Sequence, residues 1–162
     1  MKTVVEKTDG EILTTSQRWL ELSFDVPMIL LFGFFAYHLR ANTGFFTPQF
    51  GSLGMLCLYG PILVALAAPA SRAWNGRRNP ARPLDVVMQL SLAAGSLWLL
   101  IVFPFNFSHL AEVLPGPIRF LISWITDDIG KIVMILQVVL GPITALTTTL
   151  KYFSIRQQAA TI

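Results

Sequence analysis

Charge is what this chain has least of. Only 13% of its 162 residues are Asp, Glu, Lys or Arg, where a soluble domain of this length carries about 25%. The few charges cluster, and the whole stretch between Arg40 and Arg72 has none. Cysteine is scarcer still. Cys57 stands alone, which excludes an intrachain disulfide and a Cys-x-x-Cys redox pair. Histidine occurs twice, and no further Cys, His or acidic residue completes an evident metal-ligand set. No charged side chain lies deep inside the second, third or fourth apolar run, where a proton pump or proton-coupled transporter would need one. The net charge of +3 comes from Arg residues set between apolar segments, so no nucleic-acid partner is expected. No internal repeat or low-complexity tract occurs, and the chain does not divide into transporter-like halves.

What is abundant is apolar surface. Hydrophobic residues make up 54% of the chain, 12 of them Phe. They gather into runs that a core of this size could not bury, so the expected partner is the lipid bilayer. The fold class expected is an all-α integral membrane protein, an up-down bundle of four transmembrane helices. The spans fall at about 26–41, 53–70, 84–104 and 131–151. The first is short. Its 14 residues from Val26 to Leu39 reach roughly 21 Å, less than the hydrocarbon core, unless Trp19, Leu20 and Leu22 extend it and Arg40 snorkels. Pro61 and Gly141-Pro142 should bend their helices. Between Pro117 and Asp127, Ile118, Leu121, Ile122 and Ile125 follow helical spacing beside Trp124, which predicts a short helix lying in the interface. Residues 1–25 form a polar N-terminal segment with no signal-peptide pattern, and 156–162 a polar tail.

Basic residues set the orientation. With four spans, the N-terminal segment, the loop at 71–83 and the tail share one side and hold nine Lys or Arg, against Arg40, Arg119 and Lys131 on the other. The Arg-rich side, with both termini, is therefore expected in the cytoplasm.

Candidate sites each have two readings. His38 and His109 would fall at similar depth near the outer interface, where a bis-histidine pair could hold haem; interfacial histidines without a ligand are the plainer alternative. Asp127 and Asp128 could do acid–base work, or could complement the positive end of the fourth helix. Arg72, Arg77, Arg78 and Arg82 could contact lipid headgroups or an acidic partner, or could simply fix topology. Ser91 and Gly95, and Gly141 and Ala145, are small-residue patches where another helix could come close.

Asn42-Thr43-Gly44 and the phrase FNFSHLAEV at 105–113 look like stretches of the lipoprotein signal peptidases, which have similar length and also four spans. That family works through two converging aspartates, one in an Asn-x-x-Asp-Arg context. This chain lacks that context, so no catalytic residue is carried over. The function expected is a non-catalytic structural, accessory or regulatory membrane subunit, packing against larger membrane subunits or as a homo-oligomer. A haem- or quinone-associated electron-transfer subunit and a small permease or channel for a neutral or apolar solute are the alternatives.

Overall fold

A computed structural model describes residues 11 to 160, and these are all-helical. The first ten residues of the N-terminal segment and the last two of the tail lie outside the described residues. Five α-helices follow in order: α1 (Thr15–Ser23), α2 (Asp25–Ala41), α3 (Ser52–Asn75), α4 (Arg82–Val102) and α5 (Asp127–Ala160). Short 3-10 helices lie at Asn79–Ala81, Phe107–Val113 and Gly116–Leu121. Four helical stretches are long and apolar enough to cross a membrane, the first being α1 and α2 taken together.

Local chemistry explains these boundaries. Thr14 opens α1 with a capping box: its hydroxyl accepts from the Gln17 backbone N–H, while the Gln17 side chain accepts from the Thr14 N–H. The break between α1 and α2 follows from Pro27. Proline cannot donate to the carbonyl four residues back, that of Ser23, where α1 ends. The first apolar stretch thus starts earlier than its hydropathy suggests, and α1 supplies the missing length. At the other ends, Asn42, Gly76 and Phe103 stop α2, α3 and α4 in left-handed conformations. Asn and Gly adopt that region readily. Phe103 does not, and it is held there by its ring, which stacks on Phe107 and lies under the Lys131 ammonium.

The helix expected at 117–127 is shorter and of another type. Residues 116–121 make a 3-10 helix and 122–124 a turn. Backbone donors there reach three residues back, Ile118 to Pro115 and Ile122 to Arg119. Two prolines within three residues remove the donors an α-helical turn would need. The Arg119 side chain donates to the carbonyls of Leu114 and Glu112. Helix α5 starts only at Asp127, with Thr126 accepting from Ile129 and Gly130. The fourth helix also runs well past the expected span and takes in most of the predicted tail.

The long helices pack in sequence order, α2 on α3, α3 on α4 and α4 on α5, the last two pairings being the most extensive. Two glycines make this possible. A Cβ on Gly95 of α4 would overlap the Cys57 carbonyl oxygen of α3. That carbonyl is available because Pro61, four residues on, has no N–H to give it. A Cβ on Gly141 of α5 would meet the Ala93 Cβ at 2.8 Å and the Gln89 carbonyl oxygen at 2.9 Å. Ala145 is buried one turn further along α5, whereas Ser91 only returns its hydroxyl to the Met88 carbonyl.

The two ends of the molecule differ. At one end the loop at 42–51 and the segment at 103–107 are joined by Thr47 N–H to Pro104 O and Asn106 N–H to Phe45 O. Their side chains form an aromatic cap of Phe45, Phe46, Phe50, Phe103, Phe105 and Phe107. At the other, basic end, residues 11–13 lie along the loop after α3, with Leu13 N–H to Gly76 O and Arg78 N–H to Glu11 O.

Gly95→Ala should destabilise the protein by about 1–3 kcal/mol, because the backbone carbonyl it meets cannot step aside. Gly33→Ala, where a Cβ meets nothing within 4 Å, should be neutral or gain up to about 1 kcal/mol from helix propensity. Thermal unfolding of the two variants in one mild detergent checks the pair; equal melting temperatures would mean that α3 and α4 do not meet at Gly95.

Candidate functional site

Because helices pack as a row, the first and last long helices leave a gap between them. The gap is a lateral cleft of about 420 Å³, within the size range of small-molecule sites. Leu31 and Phe35 of α2 form one wall, and Val133 and Met134 of α5 the other. Cys57 and Ile62 of α3 with Leu99 of α4 form the floor, and Phe45, Phe105 and Trp124 close the aromatic end.

Polar groups are few here. The Ser96 hydroxyl of α4, 3% exposed, donates to Gln137 Oε1 of α5 at 2.5 Å. The Gln137 amide N–H groups have no protein partner among the described residues. The oxygen and nitrogen of a glutamine amide are nearly the same size and can exchange places by a half-turn of the amide. With the amide turned round, its N–H would donate to Ser96 and the serine O–H would be released. In either orientation the pair retains two unused donors beside an apolar cavity. Chemically, that suits a ligand with an apolar body and one carbonyl or ether acceptor.

The histidines take other roles. His38 is 1% exposed, at the end of α2 beneath the aromatic cap. Its Nε2 lies 3.1 Å from the Leu110 carbonyl and its Nδ1 2.6 Å from the Thr43 hydroxyl. A carbonyl only accepts, so Nε2 carries the proton and Nδ1 accepts from Thr43. Neither nitrogen has a lone pair left for a metal. His109 is partly exposed, and its Nδ1 pairs with Glu112 at 2.6 Å. Its ring lies against Gly44, where φ is +88° and a Cβ would come within 3.3 Å of the imidazole. His38 thus ties the end of α2 to the segment at 107–113, whereas His109 pairs within that segment. Among the described residues, no three His, Cys, Asp or Glu side chains gather to hold a metal ion.

The aspartates before the fourth span also separate. Asp127 accepts from the Phe107 backbone N–H at 2.9 Å, and Asp128 reaches Lys131 at 3.9 Å. Both lie in the first turn of α5, where the dipole favours them. Of the arginines, Arg72 and Arg82 are engaged within the chain. Arg72 binds Glu21 at 2.6 Å and Asp85 at 2.9 Å, and Arg82 binds Glu11 at 2.6 Å and Asn79. Arg78 reaches Glu21 only at 3.9 Å, and Arg77 is exposed.

Sequence reasoning missed the Ser96–Gln137 pair. Gln137 stands out as a polar residue in an apolar run, but Ser96 is one of several small residues in α4, and nothing in the spacing pairs the two. No protein-family model, no curated protein and no solved structure matches this chain.

His38→Ala should remove two buried hydrogen bonds and leave the Leu110 carbonyl unpaired, a loss of about 1–3 kcal/mol. His109→Ala breaks a pair at the surface and should cost less than about 1 kcal/mol. Abundance and melting temperature of the two variants test this; a larger effect at His109 would contradict these assignments.

Proposed function

We propose that this chain is a non-catalytic, multi-pass membrane protein that holds one apolar molecule bearing a carbonyl group, of quinone or ester-lipid type, in the cleft between α2 and α5. The observation that carries this reading is the Ser96–Gln137 pair, which keeps unused donors at the wall of an otherwise apolar cavity. Inside a low-dielectric cavity, one well-placed donor orients a ligand while apolar contact supplies most of the affinity.

The small-residue patches no longer argue for packing against a larger partner. Gly95 and Gly141 face α3 and α4 of the same chain, and Ala145 is buried with them. An accessory role in a larger assembly rests instead on the cleft's position, open along the flank between the first and last helices. A ligand lodged there could be shared with a neighbouring subunit.

In this reading the four long helices cross the bilayer, with the basic end and both termini in the cytoplasm. Reporters fused after Ile162 and inserted near Asn79 should read cytoplasm, and one near Gln49 should read outside. An outside signal at Asn79 would reverse the orientation.

Cys57 offers a direct probe of the cleft, since it lines the cavity and is the chain's single cysteine. A short-chain quinone or a short-chain diacylglycerol, added to detergent-purified protein, should slow labelling of Cys57 by a membrane-permeant maleimide several-fold. The Ser96→Ala, Gln137→Leu double variant should lose that protection. Labelling unaffected by both compounds would refute the ligand reading.

A further inference from the structure

The arginines of the basic end divide into two groups once their partners are known. Arg72 and Arg82 are neutralised by Glu21, Asp85 and Glu11, with side chains only 16% and 8% exposed. Arg18 of α1 has no ion pair or side-chain hydrogen bond among the described residues. Its guanidinium lies against Gly76, at a point that any side chain there would occupy. Gly76 is held at φ +63° as the end of α3, so this close approach and the turn both require glycine. The next residues, Arg77 and Arg78, add two more cations, of which only Arg78 has an acid within reach, at 3.9 Å. Among the described residues, Glu11, Glu21 and Asp85 are thus directed to Arg72 and Arg82, and the cations left over gather around Arg18.

Beside Arg18 runs a groove of about 420 Å³ between α1 and the last turns of α3. Leu22, Ala70 and Ala73 form its apolar wall, and Trp19 and Trp74 stand at its rim. The two indoles are 69% and 88% exposed. Tryptophan so exposed beside an apolar helix surface is the pattern of a headgroup-level belt. The groove therefore has a cation at its polar end, an apolar wall leading toward the membrane-facing surface, and aromatic rings where the two meet.

We infer that this groove binds an anionic phospholipid. The phosphate sits on the Arg18 guanidinium, supported by Arg77 and Arg78, and an acyl chain lies along Leu22, Ala70 and Ala73. A guanidinium with no acid partner among the described residues can pair with a phosphate as a fork, and the net negative charge of an anionic headgroup favours it over a zwitterionic one. The groove shares no residue with the cleft between α2 and α5. It stands or falls independently of the proposed function. It also replaces the four-arginine lipid contact expected from sequence with a different set centred on Arg18.

The test uses the full chain in a mild detergent and native mass spectrometry with short-chain phosphatidylglycerol, short-chain phosphatidylcholine and inorganic phosphate as separate probes. Phosphatidylglycerol should bind at least about fivefold more tightly than phosphatidylcholine, the scale expected for one cation at a membrane surface. Arg18→Gln should abolish that preference, while Arg119→Gln, on the opposite end, should leave it intact. Because Arg18 carries no side-chain bond among the described residues, the variant should melt with wild-type protein when no lipid is present. Should it fail to fold, Ala73→Leu fills the apolar wall without touching the cation and should weaken phosphatidylglycerol binding by a similar factor. Equal binding of the two lipids would overturn the inference, as would wild-type preference in Arg18→Gln. Retention of inorganic phosphate as tightly as the lipid would also overturn it, since the apolar wall would then contribute nothing.

Discussion

The architecture depends on a carbonyl that proline leaves bare and a glycine that comes to meet it. Pro61 withholds the N–H that would have satisfied Cys57, and in an apolar surrounding an unsatisfied carbonyl is costly. Gly95 brings the α4 backbone against that oxygen, the approach in which weak Cα–H···O contacts form. Gly141 repeats the approach on the other side of α4, against Gln89 and Ala93. With both neighbours drawn in tightly, α4 becomes the centre of a row. The row does not close on itself: α2 and α5 make no extensive contact, and the lateral cleft lies between them.

The basic end is organised by a different force. Glu11, Glu21 and Asp85 converge on Arg72 and Arg82, and the strap at 11–13 lies along the loop that follows α3. Partly buried ion pairs of this kind repay their desolvation poorly, and their usual effect is to select one arrangement over others. Here they select the position of α1. That position sets Arg18 over Gly76 and opens the groove beside α3, so the pairs that neutralise two arginines also determine where Arg18 stands.

Hydropathy made the four long helices legible, because an apolar run bounded by charges has few other solutions. Gly95 and Gly141 were legible as contact points for the same reason: small residues in such runs permit close approach. Their partners were not, since a pattern along one helix does not say which neighbour it faces. The stretch at 117–127 misled because its apolar spacing suits a helix, while Pro115 and Pro117 remove the donors that a helix needs; local backbone chemistry outweighed periodicity. The arginines misled differently. Four of them close together read as one basic patch, and only the fold shows that acids more than fifty residues away in sequence, Glu11 and Glu21, divide the patch in two. His38 and His109 looked alike in sequence and differ in burial, because the loop at 42–51 folds over one and leaves the other at the surface.

The polar pair inside the cleft is hard to explain as a device for holding helices together. In a membrane-like surrounding an interhelical hydrogen bond adds on average about 0.6 kcal/mol, because unassociated helices also find partners for their polar groups. The α4–α5 contact already has a backbone approach at Gly141 and a buried Ala145, which act along several turns. Replacing Ser96 and Gln137 with apolar residues of similar size would cost the pairing little. The position of the pair is more informative than its strength. It lies on the cleft wall, where α2 leaves α4 and α5 uncovered, and a donor there stays unused unless something enters from the flank. A side-chain pair that contributes little to the fold yet keeps a free donor in an apolar cavity is better accounted for by a ligand's carbonyl than by helix packing.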